Sequence, residues 1–358
     1  MADRLYLDHA ATTPMTAAAR AAVGEGMARW ANPSSPHAEG RAARAALEDA
    51  RRRIAAAYGW RSETLLTSGT SESLAIALNR ASVERRLASA VEHDAVLRAG
   101  AALETIAVDR DGLIDMPALD AALAAGRRAL VCVQWANSET GVRQPVAAIA
   151  DAVHAADGLL LLDAAQMPAA VDDDGVAAAD FVALSAHKRG GPPGIGALLV
   201  RDLGTLAPTG GQERGYRAGT ENLPGALGYA AALAEPEDVA TMARLRALLD
   251  DAITRSGGAV VAAAAPRHSA IGSYRMPGVA SAAQLIRFDL AGISVSAGSA
   301  CASGSMKPSH VLAAMGWTEA ASREVVRVSF GRTTSEADVN RFIQAWRQAA
   351  RETRSFAA

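Results

Sequence analysis

Residues 180–200 read DFVALSAHKRGGPPGIGALLV. An apolar run, Phe181 to Leu184, gives way to Ser185, His187 and Lys188, then to a Gly/Pro-rich turn and a second apolar run at 197–200. The pattern is strand, polar loop, strand, with one lysine at a strand end. Position alone makes Lys188 a solvated surface charge, the common state of lysine. The stretch upstream, LLLLDAAQ at 159–166, argues otherwise. Asp163 and Gln166 follow four leucines there, and an aspartate at a buried strand end needs a cationic partner. A lysine that forms a Schiff base and a carboxylate that keeps a pyridinium nitrogen protonated are the two groups pyridoxal 5'-phosphate requires of its protein.

Around this stretch, apolar strands at 88–91, 105–108, 130–135, 159–162 and 181–184 alternate with Ala-rich helices near 94–103, 116–125 and 145–156. Continuous apolar strands separated by helices predict an α/β fold with a mostly parallel sheet covered on both faces. His93, the trio Asn137, Ser138 and Glu139, the pair Asp163 and Gln166, and the pair Ser185 and His187 all fall just past carboxyl ends of strands. An open α/β sheet binds its ligands at that edge. Taken singly, a histidine in the place of His93 is more often a helix-capping or packed residue than a ligand, and Cys132 reads as a small core residue.

The chain begins with a strand at 5–7 and a turn at 8–14, where Thr13 as N-cap and Pro14 at the first helical position predict a helix to about residue 30. Residues 32–37, NPSSPH, have the composition of a plain turn, although Asn32 on such a loop could also face a ligand. A helix is expected at 38–58 and a strand at 63–67. SGTSES at 68–73 and a helix at 74–87 follow. Strand, glycine, hydroxyls and helix start together make an anion site, with ordinary helix capping as the other reading. No Gly-Lys-Ser/Thr follows, so it is not a Walker loop. The glycines at 190–196 precede a strand instead of opening a helix, which argues against a dinucleotide fingerprint. The loop 210–222, GGQERGYRAGTEN, has little to pack in a core and suits reaching over a phosphate or a partner subunit. After a helix at 223–233, EPED at 235–238 marks a boundary. Helices near 239–255, 281–290 and 336–353 with strands at 259–263, 293–296 and 325–330 predict a smaller α+β unit. The expected division is 15–237 as the large cofactor-binding domain, with 1–14 and 238–358 as the small domain.

The chain has 358 residues, 50% of them hydrophobic, enough for a substantial core. A net charge of −2 gives no electrostatic reason to expect nucleic acid or an anionic membrane as partner. Charged residues in MADRLYLDHA and the lack of a long apolar run predict a soluble, cytoplasmic protein. Two cysteines exclude a disulfide framework and a Cys-rich zinc site, and no metal is expected. Cys301 lies in SVSAGSACASGS at 294–305, flanked by small residues that favour an accessible thiol, although free cysteines are usually buried and inert.

Ten segments in order also carry a resemblance: YLDHAATTP at 6–14, NPSSPH at 32–37, TSGTSES at 67–73, VEHDAV at 91–96, WANSETG at 135–141, LLDAAQ at 161–166, SAHKRGGPPGIGAL at 185–198, GGQERGYRAGTEN at 210–222, SAGSACASGS at 296–305 and RVSFGR at 327–332. The chain resembles the NifS/IscS-type cysteine desulfurases, pyridoxal-phosphate enzymes of the class V aminotransferase group, and around Cys301 it is similar to the group I branch, whose catalytic cysteine lies on a long mobile loop. The resemblance implies fold type I, with a seven-stranded-type sheet in the large domain. It makes Lys188 the Schiff-base lysine, Asp163 the pyridinium partner and His93 the ring-stacking imidazole and second acid/base. It assigns Thr70, Ser71, Ser185 and His187 to the phosphate and Gln166 to the ring hydroxyl. Thr220 would reach the phosphate of a neighbouring subunit, which implies a homodimer. Arg327 and Asn32 would hold the carboxylate of L-cysteine, and Cys301 would take the sulfur as a persulfide for an acceptor protein.

Departures from the family pattern are Ser138, in place of the asparagine that contacts the ring oxygen, Ser71 for a threonine, and Pro193 where many members have lysine. A hydroxyl at Ser138 can substitute as donor, or Asn137 can shift in. The last helix, at about 335–354, carries Phe342, Ile343 and Trp346 at core spacing, and the four residues after it predict no tail-mediated docking of a scaffold. Rival readings are another class V lyase or transaminase, such as one acting on selenocysteine, and a catalytically idle sulfur-relay paralogue.

Overall fold

The computed structural model describes residues 4–100, 102–298 and 308–356. Cys301 lies outside them. Seven strands, β2 (Glu63–Thr67), β3 (Arg85–Ser89), β4 (Glu104–Ile106), β5 (Ala129–Gln134), β6 (Leu159–Asp163), β7 (Phe181–Ser185) and β8 (Gly196–Val200), form one sheet in the order β2-β8-β7-β6-β5-β3-β4. β8 runs antiparallel to both neighbours and every other pair is parallel. The expected mostly parallel sheet is therefore present.

The four leucines of β6 show why these runs become interior strands. Leu159 and Leu161 belong to the apolar cluster on one face and Leu160 and Leu162 to that on the other, the two faces that alternate residues of a strand present. Leu74 and Leu78 of the helix Thr70–Arg80 cover the first face, and Leu47 and Ile54 of the helix Ala38–Ala57 the second.

A third apolar cluster lies around an antiparallel sheet of β9 (Ala259–Val260), β10 (Ile271–Arg275) and β12 (Val325–Ser329). Phe342, Ile343 and Trp346 of the final helix, Glu336–Phe356, pack there as their spacing predicts. The N-terminal strand β1 (Leu5–Tyr6) pairs in parallel with β11 (Ile293–Ser294) and joins this cluster through Leu5 and Leu7. Among the described residues no helix is long and apolar enough to cross a membrane.

Several local expectations are corrected. The first helix is Ala17–Ala28, capped by Thr16, which accepts from Ala19 N–H. Thr13 does not cap it, because its backbone N–H donates to His187 O and its hydroxyl to Lys188 O. The third helix starts at Thr70 and ends at Arg80, not near residue 87. Arg85 and Arg86 open β3 instead, their guanidinium groups bonded to Glu104 and to the carbonyl of Leu78. β10 carries Gly272 and Ser273, which hide it from an apolar pattern, and the short helix Asp173–Ala178 is likewise absent from the sequence reading.

Leu161 is fully buried. Its replacement by alanine should lower the unfolding free energy by about 2–5 kcal/mol, measured by urea denaturation; a loss below about 1 kcal/mol would mean that this face of the sheet is not packed as described.

Candidate active site

Three elements deliver the site. β6 ends at Asp163, which sits at the carboxyl edge of the sheet, followed by Gln166. β7 ends at Ser185, and a 3-10 turn, His187–Arg189, presents Lys188. β2 runs into the start of the helix Thr70–Arg80, whose N-cap is Gly69 at φ +148° with no side-chain cap. Only glycine adopts that backbone conformation without strain. Close packing reinforces it: a Cβ on Gly196 would lie 2.6 Å from Gly69 Cα. The uncapped first turn leaves its N–H groups available to an anion.

These elements enclose a cavity of about 420 Å3. Thr70, Ser71, His93, Ser138, Asp163, Gln166, Ser185, His187 and Lys188 all line it. A second cavity of about 380 Å3 shares His93, Ser138 and Lys188 with the first and adds Arg327, Gly298 and His310. Asn32 and Thr220 line neither. Both are exposed, Asn32 accepting from Ser34 N–H. Ser34 in turn lies beside Gln212 of the Thr220 loop, with Oγ and Oε1 3.4 Å apart.

Lys188 Nζ donates to the carbonyl of Ala10 at 2.6 Å. Burial lowers its pKa to about 8, with Arg327 and Arg189 acting in the same direction and Asp163 and Asp8 against. Among the described residues Asp163 makes no ion pair. Its carboxylate accepts from Ala165 N–H at 3.0 Å, and burial raises its pKa despite that bond and the nearby His93 and Lys188. The cationic partner expected for it is not found among the described side chains.

His93 caps the helix Asp94–Ala99 with Nδ1, which accepts from Ala95 N–H at 3.1 Å. That bond leaves a neutral ring its proton on Nε2. His93 is open to the cavity, yet desolvation lowers its pKa; Asp163 opposes the shift and Lys188 adds to it. His187 is lowered to about 4 by burial, then by Lys188 and Arg189. Asn137 cannot shift toward a ligand as the sequence allowed. It is buried, with Nδ2 donating to Val91 O and Oδ1 accepting from Glu139 N–H and Thr140 N–H.

The donor set fits pyridoxal phosphate on two independent counts. Thr70 Oγ1, by the uncapped helix start, and Gln166 Oε1, by Asp163, are buried polar atoms without a partner, and both residues line the larger cavity. Buried polar groups are normally satisfied. An anion at one end and a ring with a cationic nitrogen and a hydroxyl at the other would satisfy these two atoms and Asp163 together.

Three residues of the site carry no sequence signal of their own. Ala10 acts through its carbonyl. His268 is buried, accepts from Ala270 N–H on Nδ1 and donates from Nε2 to Gln166 O. Glu92 is buried beside Asp163 and accepts from Gln134 N–H; burial and then Asp163 raise its pKa well above the usual range. For Lys188 there was an unused signal: the chain has only two lysines, Lys188 and Lys307, among 36 Lys and Arg residues. Among the described residues no group of three or more His, Cys, Asp or Glu side chains could hold a metal.

A sheet of this order with a lysine, a carboxylate and an anion cradle at its carboxyl edge is the arrangement of pyridoxal-phosphate enzymes of fold type I. The chain belongs to the aminotransferase class-V family, whose pattern matches residues 5–342. A cysteine desulfurase of Cereibacter sphaeroides is 37% identical over 377 residues, covering 96% of this chain and 94% of its own. Among solved structures, a NifS-like protein from Rickettsia africae aligns with a TM-score of 0.87 at 27% identity, covering 97% of this chain and 99% of its own. SspA, solved in complex with cysteine, aligns with a TM-score of 0.77 at 28% identity, covering 92% of this chain and 100% of its own.

The site also sets an acid limit on stability. Burial lowers the pKa of His9 and His187 to about 4 and of His268 to about 3. Each is neutral when folded and takes up a proton near pH 6.5 when unfolded, so the unfolded chain binds more protons in acid. Stability should be full above about pH 6.5 and fall steadily toward pH 4. Thermal midpoints across that range check this, and a flat profile from pH 7 to 4.5 would contradict it.

Proposed function

We propose that the protein is a cysteine desulfurase that converts L-cysteine to L-alanine and passes the sulfur to Cys301 for delivery to an acceptor protein. The observation that carries the reading is the convergence of Lys188, Asp163, His93 and the uncapped helix start on one cavity, in a chain whose relatives along nearly its whole length are named cysteine desulfurases. Pyridoxal phosphate, when bound, supplies an electron sink that acidifies the substrate's Cα–H.

The chain's own residues do the rest. Thr70, Ser71, Ser185, His187 and the first-turn N–H groups would hold the phosphate, Asp163 the ring nitrogen, Gln166 and Ser138 the ring oxygen, and His93 the ring face. Lys188 would hold the cofactor's aldehyde, and as a free amine, with a pKa of about 8, it can take and return a proton near neutral pH at Nζ. His93, neutral at that pH with Nε2–H free, is the second acid/base. Arg327 orients the substrate carboxylate in the smaller cavity.

Gly298 lines that cavity, and Cys301 is three residues further on, within about 11 Å of fully extended chain. The thiolate of Cys301 attacks the substrate sulfur, a sulfur–sulfur bond forms, and the carbon–sulfur bond breaks with its electron pair going to carbon. L-Cysteine and a thiol give L-alanine and a persulfide, so no oxidant is needed. Cys132, fully buried in β5, has its pKa raised well above the usual thiol range by burial, Glu92 and Asp163, and is unsuited to this role.

The active form is a homodimer in which each subunit gives Thr220 to the other's phosphate site. Thr220 is exposed in the single chain, and so are the apolar side chains of Met27 and Trp30, just before the Asn32 loop. Light scattering should give twice 36.8 kDa. A monomer with full activity would exclude a shared site.

Cys301→Ala should bind pyridoxal phosphate as the wild type does, shown by its visible absorbance, yet form no persulfide and lose alanine turnover by about two orders of magnitude or more. Undiminished alanine production by that variant would show that the sulfur is not taken by Cys301.

A further inference from the structure

Arg327 lies in the middle of β12 and is buried, at 8% exposure. Its Nη1 donates to Ser138 O at 2.9 Å and its Nη2 to Asp8 Oδ1 at 2.7 Å, while Nε is buried without a partner. The second oxygen of Asp8 accepts from Ser296 Oγ at 2.8 Å. Both oxygens of the carboxylate are thereby committed, and its plane is fixed.

The backbones of the three residues are tied as well. Arg327 N–H donates to Ser296 O at 2.7 Å and Ser296 N–H to Arg327 O at 3.3 Å. Asp8 lies in a parallel bridge with Ser329, two residues along β12. Chain segments far apart in sequence meet at this arginine, which lines the cavity shared with Lys188 and His93.

From this we infer that Asp8 is a positioning residue for carboxylate recognition: with Ser296 behind it, it holds the Arg327 guanidinium in one orientation toward the smaller cavity. The inference rests on the reading of Arg327 as the group that binds the substrate carboxylate. A free arginine side chain must be ordered when a ligand binds, which weakens binding. Here Asp8 and Ser138 order it beforehand. A charge-assisted pair also fixes direction better than a neutral one, because the planar guanidinium presents its donors in a fixed fork. Asp8 is not a competitor for the substrate in this arrangement. Its two oxygens are already satisfied, and Arg327 retains unused donors.

The test measures equilibrium binding to the holoenzyme by titration calorimetry, using L-alanine and L-alaninamide, which differ only in the carboxylate. Asp8→Ala should lose about tenfold to a hundredfold of the preference for L-alanine, with little change in L-alaninamide affinity. Asp8→Asn keeps an acceptor for Arg327 and a partner for Ser296, and should stay within about threefold of wild type. If Asp8→Ala does not fold, Ser296→Ala decides: it frees one carboxylate oxygen and should shift the preference in the same direction by about threefold.

An unchanged preference in Asp8→Ala, or in Ser296→Ala where that variant decides, would overturn the inference. So would tighter L-alanine binding in either Asp8 variant, since that is the behaviour of a competing carboxylate. Arg327→Gln separates the two levels. If it leaves the preference intact, the carboxylate reading of Arg327 fails by itself; if it abolishes the preference while Asp8→Ala does not, only the role of Asp8 fails.

Discussion

The carbonyl oxygen of Ala10 accepts from Lys188 Nζ and from Gln166 Nε2, at 2.6 and 2.9 Å. The N–H of the same residue donates to Ser329 Oγ at 2.8 Å. One residue of the N-terminal strap thus joins Lys188, the segment after Asp163 and the strand that carries Arg327. Thr13 adds two bonds from the strap to the backbone around Lys188, and Asp8 adds the ion pair to Arg327. The lysine is held by a neutral acceptor and not by a carboxylate. Burial, with Arg327 and Arg189 acting in the same direction, lowers its pKa to about 8, and this neutral acceptor does not offset the loss of solvent. Arginine could not take this place, since its guanidinium stays protonated in proteins.

The central sheet provides the other half of the constraint. Strands buried on both faces cannot shift without exposing leucines, so Asp163 and Ser185 are held in register at one edge. Behind Asp163 lies Glu92, another buried carboxyl without a cation. Two such groups close together do not both ionise readily. A cationic ring nitrogen against Asp163 would give the charge to Asp163 and leave Glu92 neutral. Polar atoms left without partners at Thr70 and Gln166 mark the two ends of the same ligand space.

Much of this was legible because strand and site share a signature. Apolar runs ending in Asp163 and in Ser185 mark both the strands and the residues at their ends. Arg85 and Arg86 concealed β3, since their charged ends leave the sheet while their stems stay in it. Thr13 had the chemistry of a helix cap, but its bonds to the Lys188 turn took precedence. Ala10, Asp8 and His268 were not legible as site residues: one acts through a carbonyl, and the other two act through partners hundreds or about a hundred residues away in the chain. Thr220 is picked out by resemblance and Asn32 by resemblance and its place on a loop, and a single chain does not bring them to either cavity.

The central claim is that Lys188 alone in this chain bears the cofactor. Borohydride reduction of the purified holoenzyme followed by peptide mapping tests it directly, because the chain offers only Lys188 and Lys307 as candidates. The account predicts one pyridoxyl group per chain, on the peptide containing Lys188, and none on Lys188→Ala. A pyridoxyl group on Lys307, or one retained by Lys188→Ala, would contradict it.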